Sequence, residues 1–298
     1  MLKINTDFFS EEEKKRFVEK CENSYKNRIT DVANDISAKR PKFVLLSGPS
    51  CSGKTTTSLI FSGVLAANGI NAKIISIDDF YLDRSYTMGN NIDIESVDAI
   101  DTAYFDECVS AISKKSMARI PRFDFPTGTR AGYEDYTPSE NDIVVFEGIQ
   151  ALYPEIKAII GKFVSEREVL SIFLGYFDDV EMCDDVFGAR DLRFCRRLLR
   201  DCRDRGANLD IVLSLWQAVT ANEDKNIIPY ANTANYFINT FLEYEPFVMR
   251  NYLLKAAGKD TTRVNFADAL ISKFLPLPEI SSDYVPKDSM FREFIGKQ

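Results

Sequence analysis

Short apolar runs alternate along this chain with longer segments in which apolar positions recur at helical spacing. The runs suited to buried strands are 43–47, 72–77, 143–146, 170–174 and 236–238. Continuous apolar runs are typical of parallel strands covered on both faces, and helical segments separate most of them. The pattern therefore predicts an α/β fold: a doubly wound, mainly parallel five-stranded sheet with helices on both faces.

The two ends of the chain follow a different pattern. Residues 10–38 are highly charged, open with Ser10 ahead of a run of acids, and carry apolar side chains at helical spacing, namely Phe17, Cys21, Tyr25, Ile29, Val32 and Ile36. They predict one long helix, or two shorter ones, in an N-terminal extension over 1–40 that packs ahead of a domain over 41–298. Residues 275–298 begin with a stretch rich in proline, serine and acids, and they predict a C-terminal strap.

Composition narrows the function. The chain has 298 residues, of which 45% are hydrophobic and 28% charged, as in an ordinary globular protein. Its net charge of −8 disfavours nucleic acid as a partner, because phosphate backbones bind basic surfaces. There is no histidine, which excludes imidazole general bases, histidine-containing triads and Cys/His zinc sites. Any proton transfer must therefore use a carboxylate, a lysine, a tyrosine or a thiol.

Cysteine usage and hydropathy indicate the compartment. The six cysteines form no CxxC pair or regular framework, which favours reduced thiols. No apolar run approaches the roughly 18 residues that span a bilayer, and the first forty residues are charged rather than apolar. We expect a soluble, cytoplasmic protein with no membrane partner, and the sequence leaves a homo-oligomer open.

The strongest motif is Gly48-Pro49-Ser50-Cys51-Ser52-Gly53-Lys54-Thr55, a full match to G-x-x-x-x-G-K-[ST] between a predicted strand and a predicted helix. Its backbone N–H groups and the helix dipole favour phosphate. Lys54 would reach the β- and γ-phosphates, and the Thr55 hydroxyl would bind Mg²⁺. The predicted phosphate-binding residues are Gly48, Ser50, Cys51, Ser52, Gly53, Lys54, Thr55 and Thr56. No N-K-x-D motif follows a predicted strand, which disfavours a GTPase.

Acidic residues close the next two predicted strands. Asp78 and Asp79 follow the second strand, at the sheet edge where ligands gather. One of the two can accept a proton from an attacking hydroxyl and help to hold the metal through water; the alternative is a pair that caps the next turn. Glu147 and Gly148 end the third strand in a Walker-B-like arrangement, so Thr55, Asp78 and Glu147 are the predicted Mg²⁺ residues.

Residues 189–205 hold seven arginines and three aspartates in an otherwise acidic chain. Helical spacing places Arg193, Arg196, Arg197 and Arg200 on one face, and Leu192, Cys195, Leu199 and Cys202 on another. Such a helix can hold guanidinium groups over a transferring phosphoryl group and exclude water. We predict an arginine-rich lid over about 183–210, with a solvated helix of internal Arg–Asp pairs as the alternative.

These motifs occur in the order found in uridine kinases, within the phosphoribulokinase/uridine kinase group of P-loop kinases. The stretches that carry the likeness are 48–56, Asp78-Asp79-Phe80-Tyr81, Ile120-Pro121-Arg122-Phe123-Asp124-Phe125, Phe146-Glu147-Gly148-Ile149 and Arg196-Arg197-Leu198-Leu199-Arg200-Asp201. Over about 30–297 the chain most resembles the kinase half of bacterial proteins that fuse a threonyl-tRNA-synthetase-like region to a uridine-kinase-like domain. The resemblance implies ATP and Mg²⁺ as cofactors and a small-molecule acceptor.

The resemblance also implies roles for single residues. Asp78 is similar to the family's catalytic base, and Thr55 and Glu147 are similar to its magnesium residues. Arg193 matches an arginine near the transferring phosphate, and Arg130 follows the substrate loop. The catalytic set is then Asp78, Lys54 and Arg193, with Arg196, Arg197 and Arg200 of the lid helix on the triphosphate.

The acceptor positions match the family only in part. Those that fit its ribose and base contacts are Tyr81, Asp93, Phe123 and Phe125. Where uridine kinases usually read the pyrimidine edge with a tyrosine and a histidine, this chain has Phe123 and Gly128, and a family glutamine aligns with Ile211. An apolar pocket discriminates weakly between bases. We therefore expect intact phosphoryl-transfer machinery and a pocket that either accepts several nucleosides with similar kcat/KM or holds an acceptor that is not a pyrimidine nucleoside.

The sequence predicts an ATP-dependent kinase that phosphorylates a small-molecule hydroxyl, foremost the 5′-hydroxyl of a nucleoside. Two alternatives stay open. The acceptor could be a phosphosugar or a pantothenate-like alcohol, or the chain could be a nucleotide-binding regulatory module without turnover. Intact Lys54, Thr55, Asp78 and Glu147 argue against the second alternative.

Overall fold

The predicted strands lie in one sheet of a computed structural model that describes residues 1–7, 10–256 and 266–296. The strands are β1 (Leu2–Lys3), β2 (Phe43–Ser47), β3 (Asn71–Ser76), β4 (Ala118–Asp124), β5 (Thr129–Tyr136), β6 (Asp142–Glu147), β7 (Val169–Gly175), β8 (Val180–Met182), β9 (Asp185–Phe187) and β10 (Tyr236–Asn239). The helices are α1 (Glu11–Lys39), α2 (Lys54–Ala67), α3 (Arg84–Gly89), α4 (Thr102–Ser113), α5 (Pro154–Gly161), α6 (Ala189–Asp204), α7 (Leu209–Asn222), α8 (Ile228–Ala231), α9 (Glu245–Ala256), α10 (Phe266–Ser272) and α11 (Arg292–Ile295).

The central sheet has the order β10-β7-β2-β6-β3, and all of its strand pairs are parallel. The bounds of β2 coincide with the predicted run, and those of the other four strands lie within one residue of it. The predicted five-stranded α/β sheet is therefore confirmed.

Each face of the sheet is covered by its own hydrophobic cluster. Along β2, Val44 and Leu46 point into one cluster, which also holds residues of α1, α2, α6 and α9. Phe43 and Leu45 point the opposite way, into a cluster with residues of α4 and α5. The side chains of a strand alternate between the two faces, so a strand buried on both must be apolar throughout. This is why the continuous apolar runs located the sheet.

The N-terminal segment forms one helix, α1, rather than two. Ser10 and Glu13 form a capping box at its start, which satisfies two backbone N–H groups that the helix leaves unpaired. Tyr25 and Ile29 are fully buried in the same cluster as α2, and the Tyr25 hydroxyl lies 2.6 Å from Thr57 Oγ1. The described part of 1–40 thus shares the core that carries the phosphate loop.

Two small sheets were absent from the predictions. β4 and β5 pair as an antiparallel hairpin with an irregularity between Arg122 and Phe123, and β1, β8 and β9 form a three-stranded sheet. β5 alternates between exposed and partly buried residues and is mostly polar, so it contains no apolar run that would mark a strand. The hairpin projects from the main sheet beside Asp79, whose carboxylate it contacts.

The C-terminal segment predicted as a strap lies against the phosphate loop, with residues 297–298 outside the described part. Met290, Phe291 and Phe294 are almost fully buried there. Among the described residues, no helix combines the length and the apolar character needed to cross a membrane.

Candidate functional site

The loop between β2 and α2 has the backbone geometry of a phosphate cradle. Gly48 lies so close to β7 that a Cβ atom would meet Leu174 O at 2.3 Å, so no side chain fits there. Gly53 has a positive φ of 82°, which favours glycine. The helical ladder of α2 begins where the Thr57 N–H donates to Gly53 O. The N–H groups before it have no acceptor within the helix and can bind an anion.

Lys54 lies across this loop. Its Nζ atom donates to Gly48 O at 3.0 Å and to Pro49 O at 3.2 Å. Burial raises the pKa of Asp78 and of Glu147, and the ammonium group is close enough to both carboxyls to oppose that rise. The structure therefore brings together one cation and two acids at the carboxyl ends of β2, β3 and β6.

The two aspartates after β3 have different partners. Asp79 Oδ2 accepts from Arg122 Nη1 at 3.2 Å, and Asp79 Oδ1 accepts from the Phe123 N–H at 3.0 Å, so its carboxylate holds the hairpin. Asp78 Oδ1 is buried and has no hydrogen-bond partner among the described residues. Burial raises the pKa of Asp78, and the nearby Lys54 charge opposes that shift. This geometry leaves Asp78 available to accept a proton, while Asp79 acts as a structural anchor.

Glu147 is the last residue of β6 and is also near Lys54. Burial raises the pKa of Glu147 to about 7, with Lys54 lowering it and Asp78 adding to the rise. No group of three His, Cys, Asp or Glu side chains in the described ranges is placed to hold a metal by itself. Mg²⁺ usually keeps several waters and binds one or two carboxylates together with substrate phosphates. The oxygen donors of Thr55, Asp78 and Glu147 fit such a shared site.

An aromatic wall stands next to Asp78. The rings of Tyr81, Phe123 and Phe125 contact one another edge to face, with centroids 5.3–6.2 Å apart. Tyr81 is buried, whereas Phe125 near the end of β4 is 50% exposed. Tyr81, predicted to contact the ribose, and Phe123 and Phe125, predicted to flank the nucleobase, thus lie together beside Asp78.

Gln150 contacts this wall and was missed by the sequence analysis. It is fully buried, its Nε2 atom donates to Tyr81 Oη at 2.8 Å, and its Oε1 atom has no partner among the described residues. The Tyr81 hydroxyl in turn stabilises the ionised form of Asp78. The signal that could have revealed Gln150 is a polar residue in an otherwise apolar turn directly after the Glu147-Gly148 pair.

Arg196 corrects the prediction for the lid helix. Its side chain is fully buried, Nε and Nη2 donate to the Glu245 carboxylate at 2.8 and 2.5 Å, and Nη1 donates to Cys51 O at 3.0 Å. A guanidinium committed in this way has no access to triphosphate oxygens. The assignment of Arg196 to the nucleotide is therefore wrong: it supports the phosphate loop from the protein side, because a buried charge needs a carboxylate partner.

Three further arginines of α6, namely Arg193, Arg197 and Arg200, lie beside the loop. Arg193 donates to both Glu223 oxygens at 2.6 Å and to Ser50 O at 3.3 Å. Arg197 Nη1 lies 3.4 Å from Ser50 Oγ, and both Arg197 and Arg200 pair with Asp201. The Arg–Asp pairs of the alternative interpretation exist, but the helix is not solvated. The face with the arginines and the apolar face are both largely buried. The alternative of a solvated helix is therefore wrong.

Two predicted acceptor residues are engaged elsewhere. Arg130 pairs with Asp101 at 3.0 Å and lies over the Tyr104 ring. Asp93 is exposed, and its carboxylate accepts from the Glu95 N–H in a turn. Ile211 is 48% exposed in the first turn of α7. Arg130 is also the strand partner of Phe123 in the hairpin, so its backbone adjoins the aromatic wall. The described hydrogen bonds of Asp93 and Ile211 reach neither the phosphate loop nor that wall.

Gly128 has a structural reason to lack a side chain. It has a φ of 70° at the turn of the hairpin, and a Cβ atom there would lie 2.7 Å from Arg84 Cβ and Nε. Arg84 also donates to Phe125 O, which holds its guanidinium at the turn. The space where a side chain at position 128 would extend is therefore filled by Arg84.

Known proteins similar to this chain point to one family. Residues 43–244, more than half of the chain, match the model described as Phosphoribulokinase / Uridine kinase family. The uridine kinase of Ureaplasma urealyticum serovar 10 is 26% identical over 204 residues, which cover 67% of this chain and 88% of that protein. The uridine kinase of Deinococcus deserti is 29% identical over 180 residues, which cover 59% of this chain and 76% of that protein.

Solved structures support the fold. D-glycerate 3-kinase from Cryptococcus neoformans superimposes with a TM-score of 0.50 at 12% identity, covering 72% of this chain and 95% of that chain. At this identity the likeness concerns the arrangement of the sheet and helices alone.

Proposed function

Because the chain belongs to the phosphoribulokinase/uridine kinase family, we propose that it transfers the γ-phosphoryl group of ATP to the 5′-hydroxyl of a nucleoside. The observation that carries the proposal is the unpaired Asp78 Oδ1, buried beside Lys54 and the Tyr81 ring. A buried acceptor without a donor is costly, so it is kept where a ligand supplies the missing hydrogen bond. The acceptor hydroxyl would be that donor.

The residues around the phosphate loop have separate roles in the proposed phosphoryl transfer. Asp78 accepts the hydroxyl proton and orients the oxygen for in-line attack. Lys54 neutralises charge on the β- and γ-phosphates, and Arg193, held by Glu223 beside Ser50, faces the same loop. Thr55 and Glu147 would hold Mg²⁺, which supplies charge neutralisation at the transferred group.

The resemblance of the matched relatives supports a nucleoside acceptor, and the aromatic wall offers ring faces to a base. The three ring residues themselves carry no amide or imidazole that could read a base edge, and Phe123 and Gly128 stand where uridine kinases usually have a tyrosine and a histidine. Each missing hydrogen bond is worth about 0.5–1.5 kcal/mol. Weak discrimination among bases is the expected consequence.

We expect uridine, cytidine, adenosine and guanosine, each supplied at equal concentration with ATP and Mg²⁺, to give kcat/KM values within a thousandfold of one another. The measurement is ADP release, with product identified by mass spectrometry in a mixed competition. Two further acceptors, a phosphosugar and pantothenate, test the rival substrate classes. A uridine preference above a thousandfold would show that backbone groups read the base. If no acceptor supports ADP release, the proposal that the chain is a nucleoside kinase is contradicted.

Gln150→Leu is expected to lower kcat about tenfold with little change in the acceptor KM. The leucine fills similar space but removes the N–H that orients the Tyr81 hydroxyl, so the environment of Asp78 loses one fixed dipole. Steady-state kinetics measure both constants, and Tyr81→Phe should show a non-additive loss when combined with it. Additive effects, or a change confined to KM, would show that Gln150 does not act on Asp78 through Tyr81.

A further inference from the structure

The C-terminal segment builds one wall of a cavity beside the phosphate loop. The cavity has a volume of about 620 Å³ and lies between the first turns of α2 and residues 287–293. Thr55, Thr56, Leu59 and Ile60 line one side, and Lys287 and Glu293 lie on the other. Small-molecule sites usually measure about 300–1,000 Å³. The cavity is therefore large enough for a nucleoside, and it adjoins the end of the cradle marked by Thr56.

The segment that forms this wall is firmly anchored. The Met290 side chain packs on Gly53, where an added Cβ atom would lie 2.8 Å from its Cγ and Sδ atoms. Phe291 packs edge to face on Tyr244. The buried Arg292 guanidinium donates to four carbonyls, those of Ser282, Val285, Pro286 and Gly296. All of these anchoring residues except Gly53 and Tyr244 lie beyond residue 244, where the family match ends.

The two walls offer different chemistry. Leu59 is 62% exposed, so its aliphatic surface is available to a flat base. Glu293 has a buried Oε2 atom with no partner among the described residues, and a carboxylate oxygen accepts hydrogen bonds. A ribose carries hydroxyl donors that could satisfy it.

We propose that the ribose and base of the donor nucleotide occupy this cavity, so that the C-terminal segment completes the donor site. The proposal rests on the proposed function, because it takes the phosphates to lie in the cradle. The phosphates then lie on Lys54 and the first N–H groups of α2, and the nucleoside continues past Thr56 between Leu59 and Glu293. The cavity thereby selects a nucleotide over a bare polyphosphate.

The test compares MgADP with magnesium tripolyphosphate, which has the phosphates but no nucleoside, by isothermal titration on the full chain. Leu59→Ala combined with Glu293→Ala is expected to weaken MgADP binding about tenfold. Tripolyphosphate should bind as well or better, since an acid is lost near the phosphates. Leu215→Ala with Glu140→Ala, which removes the same side chains from exposed positions outside this cavity, should change neither affinity.

The outcomes separate this inference from the kinase assignment. If the wild-type chain binds both ligands and the double variant keeps its MgADP affinity, the donor nucleoside lies elsewhere and the inference is overturned. Equal weakening of both ligands would also overturn it, because the walls would then serve the phosphates or the fold. If the wild type binds neither ligand, the proposed function fails and this inference fails with it.

Discussion

Lys54→Ala is expected to abolish turnover, with kcat reduced about a thousandfold or more while the fold persists. In the structure the Lys54 ammonium contacts only loop carbonyls of Gly48 and Pro49 among the described hydrogen bonds, and it influences Asp78 and Glu147. It contributes charge to the site rather than packing to the core. Its removal therefore takes away neutralisation of the β- and γ-phosphates in the transition state.

The measurement is ADP release under saturating acceptor, alongside the urea midpoint of unfolding as a check on the fold. Lys157→Ala, which removes an exposed lysine of α5, is the matched control and should leave kcat unchanged. If the Lys54→Ala variant retained more than about a tenth of the wild-type kcat, a loss under ~1.4 kcal/mol, the proposed role of Lys54 in neutralising the phosphates would be wrong.

Much of this site could be predicted from the sequence because its chemistry is local. The phosphate loop spans consecutive residues, and the strands that present Asp78 and Glu147 carry short apolar runs, Ile74–Ile75 and Ile143–Phe146, that pack into the clusters on the two faces of the sheet. The family match confirms the predicted kinase group, and the parallel sheet confirms the fold class. The likeness to the kinase half of a fused protein stays a prediction.

The partners of buried charges could not be predicted in the same way. Arg196 and Glu245 are 49 residues apart in sequence. The spacing of residues within one helix does not show that a carboxylate from a distant segment will pair with Arg196. An arginine on the solvent side of a lid and an arginine buried behind the phosphate loop have the same sequence pattern. The structure separates them, leaving Arg193, Arg197 and Arg200 beside the loop and Arg196 behind it.

The C-terminal wall of the cavity beside the phosphate loop could not be predicted from the sequence for a related reason. Its composition indicates a strap, but Met290 and Glu293 carry no motif. Their position beside Gly53 and the first turns of α2 depends on packing of Phe291 on Tyr244 and on the four carbonyls around Arg292. Contacts between segments more than two hundred residues apart arise only from the folded core.

Asp78→Asn is expected to lower kcat by roughly 10²–10⁴, with the affinity for MgADP changed much less. The amide preserves the shape of the side chain but cannot take the proton of the acceptor hydroxyl. Asp79→Asn serves as the matched comparison, because it makes the same change one residue later in a carboxylate that holds Arg122 and the Phe123 N–H. Its effect should fall on the acceptor KM and on the free energy of unfolding, since the hairpin that carries Phe123 loses part of its anchor.

The two variants are distinguished by single-turnover kinetics, which report the chemical step, and by titration with MgADP. A larger fall in the chemical rate for Asp79→Asn than for Asp78→Asn would invert the assignment within the pair. Equal falls would indicate that both carboxylates act on the proton, which requires Asp79 to leave Arg122 when the acceptor binds. The unpaired Oδ1 of Asp78 favours a larger fall in the chemical rate for Asp78→Asn than for Asp79→Asn. Of the two carboxylates, Asp78 can accept a hydroxyl without breaking an existing ion pair, whereas Asp79 is paired with Arg122.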